Sequence, residues 1–179
     1  IALLLKLAGI NNVIITDTKG VIYRGRSGLE GYKRHLSEVT NPERIQGDVM
    51  SAVVGADVII GVSGPGTIAK AHIEAMAEKA IVFAMANPIP EIMPNDALQA
   101  GAMVVATGRS DYPNQVNNAL AFPGLFRGAL DKKVKNITDE MKIVAAKKIA
   151  ALVKKPTAEN IIPSVMTEGL VKAVASAVK

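Results

Sequence analysis

Four short apolar runs constrain this chain most: residues 12–17 (NVIITD), 57–63 (DVIIGVS), 81–86 (IVFAMA) and 103–107 (MVVAT). Successive positions in each are apolar, where a strand with one wet face would alternate. Such a run asks for burial on both faces, the condition of a strand in a parallel sheet covered by helices. Helical stretches separate the runs: 32–39, 48–54, a helix capped by Thr67, and 96–100. Strands alternating with helices in this way predict an α/β fold with a doubly wound, mostly parallel sheet. Residues 1–8 read as the tail of a buried helix stopped by Gly9, and the turn Lys19-Gly20 leads into a short hairpin arm, Val21–Tyr23. After residue 115 strand signals stop, and 118–130, 139–153 and 168–178 are expected as extra C-terminal helices packed outside. No repeat or linker divides the 179 residues, so one domain over 1–179 is expected.

Composition excludes whole classes of chemistry. With no Cys and two His, there is no thiol nucleophile, disulfide framework or Cys-based zinc site. The net charge of +5 is concentrated in a C-terminal third whose lysines alternate with apolar residues, the pattern of a solvated helix face. Aromatics at 3% argue against stacking platforms for single-stranded nucleic acid. No apolar run reaches the roughly 18 residues of a membrane span, and the apolar start at Ile1 lacks the basic lead of a signal peptide. The expectation is a soluble cytoplasmic protein with neither nucleic acid nor a membrane as partner.

In an open parallel sheet, ligands bind outside the carboxyl ends of the strands. Here those ends are Asp17, then Gly61-Val62-Ser63-Gly64-Pro65-Gly66, then Asn87-Pro88, then Thr107-Gly108-Arg109-Ser110-Asp111. A rim rich in glycine and polar groups lets main chain approach a nucleotide closely. Asp17 has two readings. An acid ending the second strand of a Rossmann unit accepts hydrogen bonds from the adenine ribose; an acid also opens a turn such as Asp17-Thr18-Lys19-Gly20. On the first reading, the glycine fingerprint about 20 residues earlier falls before Ile1, as does the first strand. The stretch Gly61–Gly66 serves either as a tight strand-to-helix turn or as backbone pressed along a cofactor. Asn87 is equally a turn residue, and Asn117 or Asn118 equally an N-cap. As ligand groups, these amides donate to a carboxylate without burying a charge. His35 and His72 sit within helical stretches and read as surface or packing residues, and no carboxylate cluster has the look of a metal site.

Several motifs together resemble the malic enzymes, in the order of the short bacterial and archaeal type. They are Asp17-Thr18-Lys19-Gly20-Val21-Ile22 with Gly25-Arg26, Gly55-Ala56-Asp57-Val58 leading to Gly61–Gly66, and Phe83–Ile92. The most specific is Ala106-Thr107-Gly108-Arg109-Ser110-Asp111-Tyr112-Pro113-Asn114-Gln115-Val116-Asn117-Asn118, followed by Phe122–Leu130. The resemblance covers essentially the whole chain. It implies the NAD(P)-binding domain of an enzyme that converts malate to pyruvate and CO2, with NAD, or alternatively NADP, and Mg2+ or Mn2+. It implies that Asp17 binds the adenine ribose, that Gly61, Val62, Ser63 and Gly64 line the cofactor, and that Asn117 lies near the nicotinamide amide. Asn87 and Asn118 would hold the substrate carboxylate. The family's Lys base, Tyr acid and acidic metal ligands have no counterpart here, so no catalytic or metal-binding residue is expected in these 179 residues, and the chain alone is expected to be inactive. A homodimer or higher assembly is implied. Two other readings stand beside this one: a non-catalytic nucleotide-binding module, and another dehydrogenase with a related cofactor domain.

Overall fold

Apolar runs become strands only where a neighbour completes their hydrogen bonds. A computed structural model describes residues 1–179. The chain opens with α1 (Ala2–Leu7), which holds no buried residue, against the buried helix expected there, and ends before Gly9 at φ +98°, a left-handed value that glycine adopts without strain. A two-residue hairpin comes next, β1 (Thr16–Asp17) antiparallel to β2 (Gly20–Val21). Helices α2 (Gly31–Val39) and α3 (Val49–Val53) lead to β3 (Val58–Gly61), and α4 (Lys70–Glu74) to β4 (Ile81–Ala84). After α5 (Pro94–Gln99) comes β5 (Val104–Thr107). A 3₁₀ turn (Asn118–Leu120) and α6 (Phe122–Lys132), α7 (Asp139–Ala150) and α8 (Leu170–Ala175) complete the chain.

The sheet β3-β4-β5 is parallel throughout, with Gly61 opposite Ala84 and Ala84 opposite Thr107. Helices lie between consecutive strands, so the α/β class expected from the sequence holds. The run 12–17 departs from expectation. Only its last two residues enter a ladder, and that ladder is the hairpin rather than the parallel sheet. Val13 and Ile15 spend their carbonyls on the Asn41 and Ile22 amides instead, at 2.7 Å each. Burial on both faces is also uneven. It is complete in β5, alternating in β4, and weakest in β3, where Val58 is 45% exposed.

Strand β5 gains its cover from the segment Asn114–Val116, which folds back along it. Gln115 bridges to Thr107, the Val116 amide donates to the Thr107 carbonyl at 2.8 Å, and Asn114 Nδ2 donates to the Val105 carbonyl at 3.1 Å. The main core, including Ile73, Met76, Val82, Ile92 and Val105, packs the sheet against α4 and α5. A second core of Leu120, Ala145, Leu170, Val174 and Ala177 holds the C-terminal helices together. The helix expected over 118–130 is interrupted at Ala121, and α6 restarts with Pro123 in its first turn, where a missing N–H costs nothing. No helix is long and apolar enough to cross a membrane.

Candidate functional site

The register of the parallel sheet builds the site. Because Gly61, Ala84 and Thr107 are in line across three strands, and Gln115 continues that line, their successors leave the sheet from one edge. Those successors are Val62-Ser63-Gly64, Met85-Ala86-Asn87, Gly108 and Val116-Asn117-Asn118. Segments more than 50 positions apart are therefore brought to the same carboxyl-end rim.

At the first part of this rim the chain turns outward. Val62 is 65% exposed, Ser63 is exposed beside it, and a Cβ added to Gly64 would meet nothing within 4 Å. The loop is nevertheless pinned. Thr67 Oγ1 donates to the Gly64 carbonyl at 2.8 Å, so the 2.7 Å contact between the Ser63 and Thr67 hydroxyls has Ser63 as donor. Thr67 is thus a loop clamp and not the helix cap expected of it. The cap position of α4 is Ala69, whose amide donates to His72 Nδ1 at 3.0 Å.

Glu91 lies behind the rim, and its place there could not be read from the sequence. Its side chain is fully buried, 0% exposed. Oε1 accepts from the Ser63 amide at 2.7 Å and Oε2 from the Ala86 amide at 2.9 Å. A Cβ on Gly61 would come within 2.6 Å of its Cδ, so the absence of a side chain at 61 makes the room that Glu91 fills. The one signal in the sequence is an acid three residues past Asn87-Pro88, next to apolar Ile92.

Asp17 sits on the hairpin, outside the three-stranded sheet. Arg26 grips it with two nitrogens at 2.9 and 2.7 Å, Lys33 adds a contact at 2.6 Å, and the Lys19 amide donates at 2.9 Å. Four donors thus occupy the roughly four lone-pair directions a carboxylate offers. The Arg26 fork first, with Lys33 and the Lys19 amide behind it and burial opposing, holds the Asp17 carboxyl well below the usual carboxylate range. The turn reading of Asp17 is met, through the Lys19 amide, and the same carboxylate is the centre of a basic cluster. Arg26 is nearly buried and Lys33 is 54% exposed, so Lys33 is the more readily displaced of the two cations.

The asparagines divide. Asn117 Oδ1 accepts from the Ala119 amide at 2.9 Å and caps the 3₁₀ turn, while Asn87 and Asn118 are exposed and make no hydrogen bond through their side chains. Asn114, which has no ligand role in the sequence pattern, is buried and structural. It joins Val105, Ala158 and Ile161 through its amide. The rim thus carries exposed residues at Val62 and Ser63 and free amides at Asn87 and Asn118, while Asp17 with its basic surround stands on the separate hairpin. A divalent ion is not fitted by these residues, for nowhere do three or more His, Cys, Asp or Glu side chains gather to hold one. His35 is exposed, and His72 has the capping role just described.

Known proteins resemble this chain over nearly its whole length. The family model described as "Malic enzyme, NAD binding domain" matches residues 6–179. A bifunctional malic/malolactic enzyme of Bacillus subtilis is 49% identical over 173 residues, which is 95% of this chain and 42% of that protein. An NAD-dependent malic enzyme of Geobacillus stearothermophilus is 46% identical over 98% of this chain and 37% of its own length. Among solved structures, the NAD-dependent malic enzyme of Thermotoga maritima superposes with a TM-score of 0.94 at 42% identity. That match covers 99% of this chain and 47% of the other. The chain spans about two-fifths of the length of the curated relatives it matches.

Proposed function

Since the chain belongs to the malic enzyme family, whose NAD-binding domain it forms, we propose that it serves an enzyme oxidising malate to pyruvate and CO2 with reduction of NAD. The observation that carries this reading is the in-register rim. One edge of the sheet brings the glycine-bordered loop 62–64, with Val62 and Ser63 exposed, beside the uncommitted amides of Asn87 and Asn118. A nicotinamide cofactor supplies the hydride acceptor when bound. This chain's own residues bind and orient. Gly61, Val62, Ser63 and Gly64 lie along the cofactor, Asn117 stands near the carboxamide, and Asn87 and Asn118 donate to a malate carboxylate. Neutral donors suit that task, since they hold an anion without a charge that must itself be desolvated.

Asp17 favours NAD, because its carboxylate repels a 2′-phosphate. A second reading, NADP, is favoured by Arg26 and Lys33 on the same carboxylate, with Arg24 and Arg34 nearby in sequence. None of these 179 residues is assigned the Lys base, the Tyr acid or the divalent metal of the reaction, and a homodimer in the cytoplasm completes the proposal. The full-length gene product, supplied with malate and Mn2+, is expected to form pyruvate, faster with NAD than with NADP. Absence of pyruvate with both nicotinamides would refute the proposal, and preference for NADP would refute the role given to Asp17.

A further inference from the structure

We propose that Glu91 is a positioning residue that sets cofactor and substrate binding together, by fixing the two halves of the rim to one carboxylate. The inference rests on the function proposed above. Ser63 belongs to the backbone laid along the cofactor, and Ala86 immediately precedes Asn87. Their amides are 23 positions apart, yet both point at one buried side chain, at 2.7 and 2.9 Å. The main chain of the same residue adds a third tie, for the Glu91 carbonyl accepts from the Ile68 amide at 3.3 Å.

A buried carboxylate without a cation is an expensive choice if packing is the only need. A Leu would fill the space, but it would leave the Ser63 and Ala86 amides without acceptors at the ends of β3 and β4. The ladder fixes β3 against β4 as far as Gly61 and Ala84, and the Met85 amide donates to the Gly61 carbonyl at 3.2 Å. Beyond that point the Ser63 and Ala86 amides leave the ladder, and the two oxygens of Glu91 tie the cofactor loop to the residue before Asn87. Glu91 touches neither ligand and acts through the backbone it holds.

Glu91→Gln is the informative substitution. It keeps shape and one acceptor oxygen, but sets an NH2 against one of the two amides. In the full-length protein, Glu91→Gln is expected to remain folded by circular dichroism and to raise the KM for NAD and the KM for malate together, each about tenfold. NADH affinity by fluorescence titration is expected to fall by the same factor. A folded variant with both constants unchanged, or with a lower melting temperature as its only effect, would overturn the proposal. So would a rise confined to one ligand. The titration needs no turnover, so it tests Glu91 even if the wild type fails to oxidise malate. If Glu91→Gln does not fold, hydrogen exchange on the wild type decides: slow exchange at the Ser63 and Ala86 amides supports the tie, and fast exchange at either refutes it.

Discussion

Asp17 shows how far one residue's surroundings change its meaning. A lone acid after a β-rich run is a common turn opener, but this one is held by the Arg26 fork at 2.7 and 2.9 Å and by Lys33 at 2.6 Å. Its lowered pKa makes a linkage prediction. A carboxylate with a depressed folded pKa contributes stability that is present in full above the unfolded value, about 3.9, and is lost as pH falls below it. The wild-type unfolding midpoint should therefore decline more steeply between about pH 5 and pH 2 than that of Asp17→Asn, measured by urea titration at each pH; equal slopes would contradict the ion cluster. Asn118 supports a kinetic prediction at the same scale. Its free amide is assigned to the malate carboxylate, and a hydrogen bond to a charged group contributes about 1.5–3 kcal/mol. Asn118→Ala in the full-length protein should raise the malate KM at least tenfold while the NAD KM stays within about twofold. Steady-state kinetics with each substrate varied would check it, and equal changes in both would remove Asn118 from the substrate.

At the scale of elements, α6 and α8 approach each other closely through two glycines. A Cβ on Gly124 would fall 2.5 Å from the Val174 side chain, and one on Gly128 would fall 2.5 Å from the Ala175 carbonyl oxygen. The two glycines lie one turn apart on the same face of α6, which lets the helices touch backbone to side chain. A carbonyl cannot step aside as a flexible side chain can. Gly128→Ala, normally a gain in helix propensity, should here destabilise the protein by about 1–3 kcal/mol through overpacking. Denaturant unfolding would read this directly, and a neutral or stabilising result would show that the helices can separate without cost. Periodicity reveals the helix but not its partner, so in the sequence these glycines look like weak points in a helical run. The interruption at Ala121, by contrast, has a sequence signal in Pro123, which is at home in the first turn of a helix and not in the middle of one.

For the whole molecule, what is legible is what period and local chemistry dictate. Apolar runs with the composition of strands, separated by helical stretches, imply an α/β sheet, and the parallel order β3-β4-β5 accords with that pattern. The polar strand ends at Gly61–Gly64, Asn87 and Asn117–Asn118 can be picked out because ligands bind at carboxyl edges whatever the rest of the sequence is. The pairing of Val13–Ile15 cannot, since a strand exists only where another chain segment meets its hydrogen bonds, and that meeting is nonlocal. Glu91 escapes a linear reading for a related reason: no pattern of neighbours says that the amides of Ser63 and Ala86 will converge on it. By itself, then, the sequence determined the succession of strands and helices and the chemical character of the rim, because both are written in neighbouring residues. The tertiary structure alone decided which residues share an edge, which acid is buried behind it and which donors surround Asp17, because those depend on distances between segments far apart in the chain.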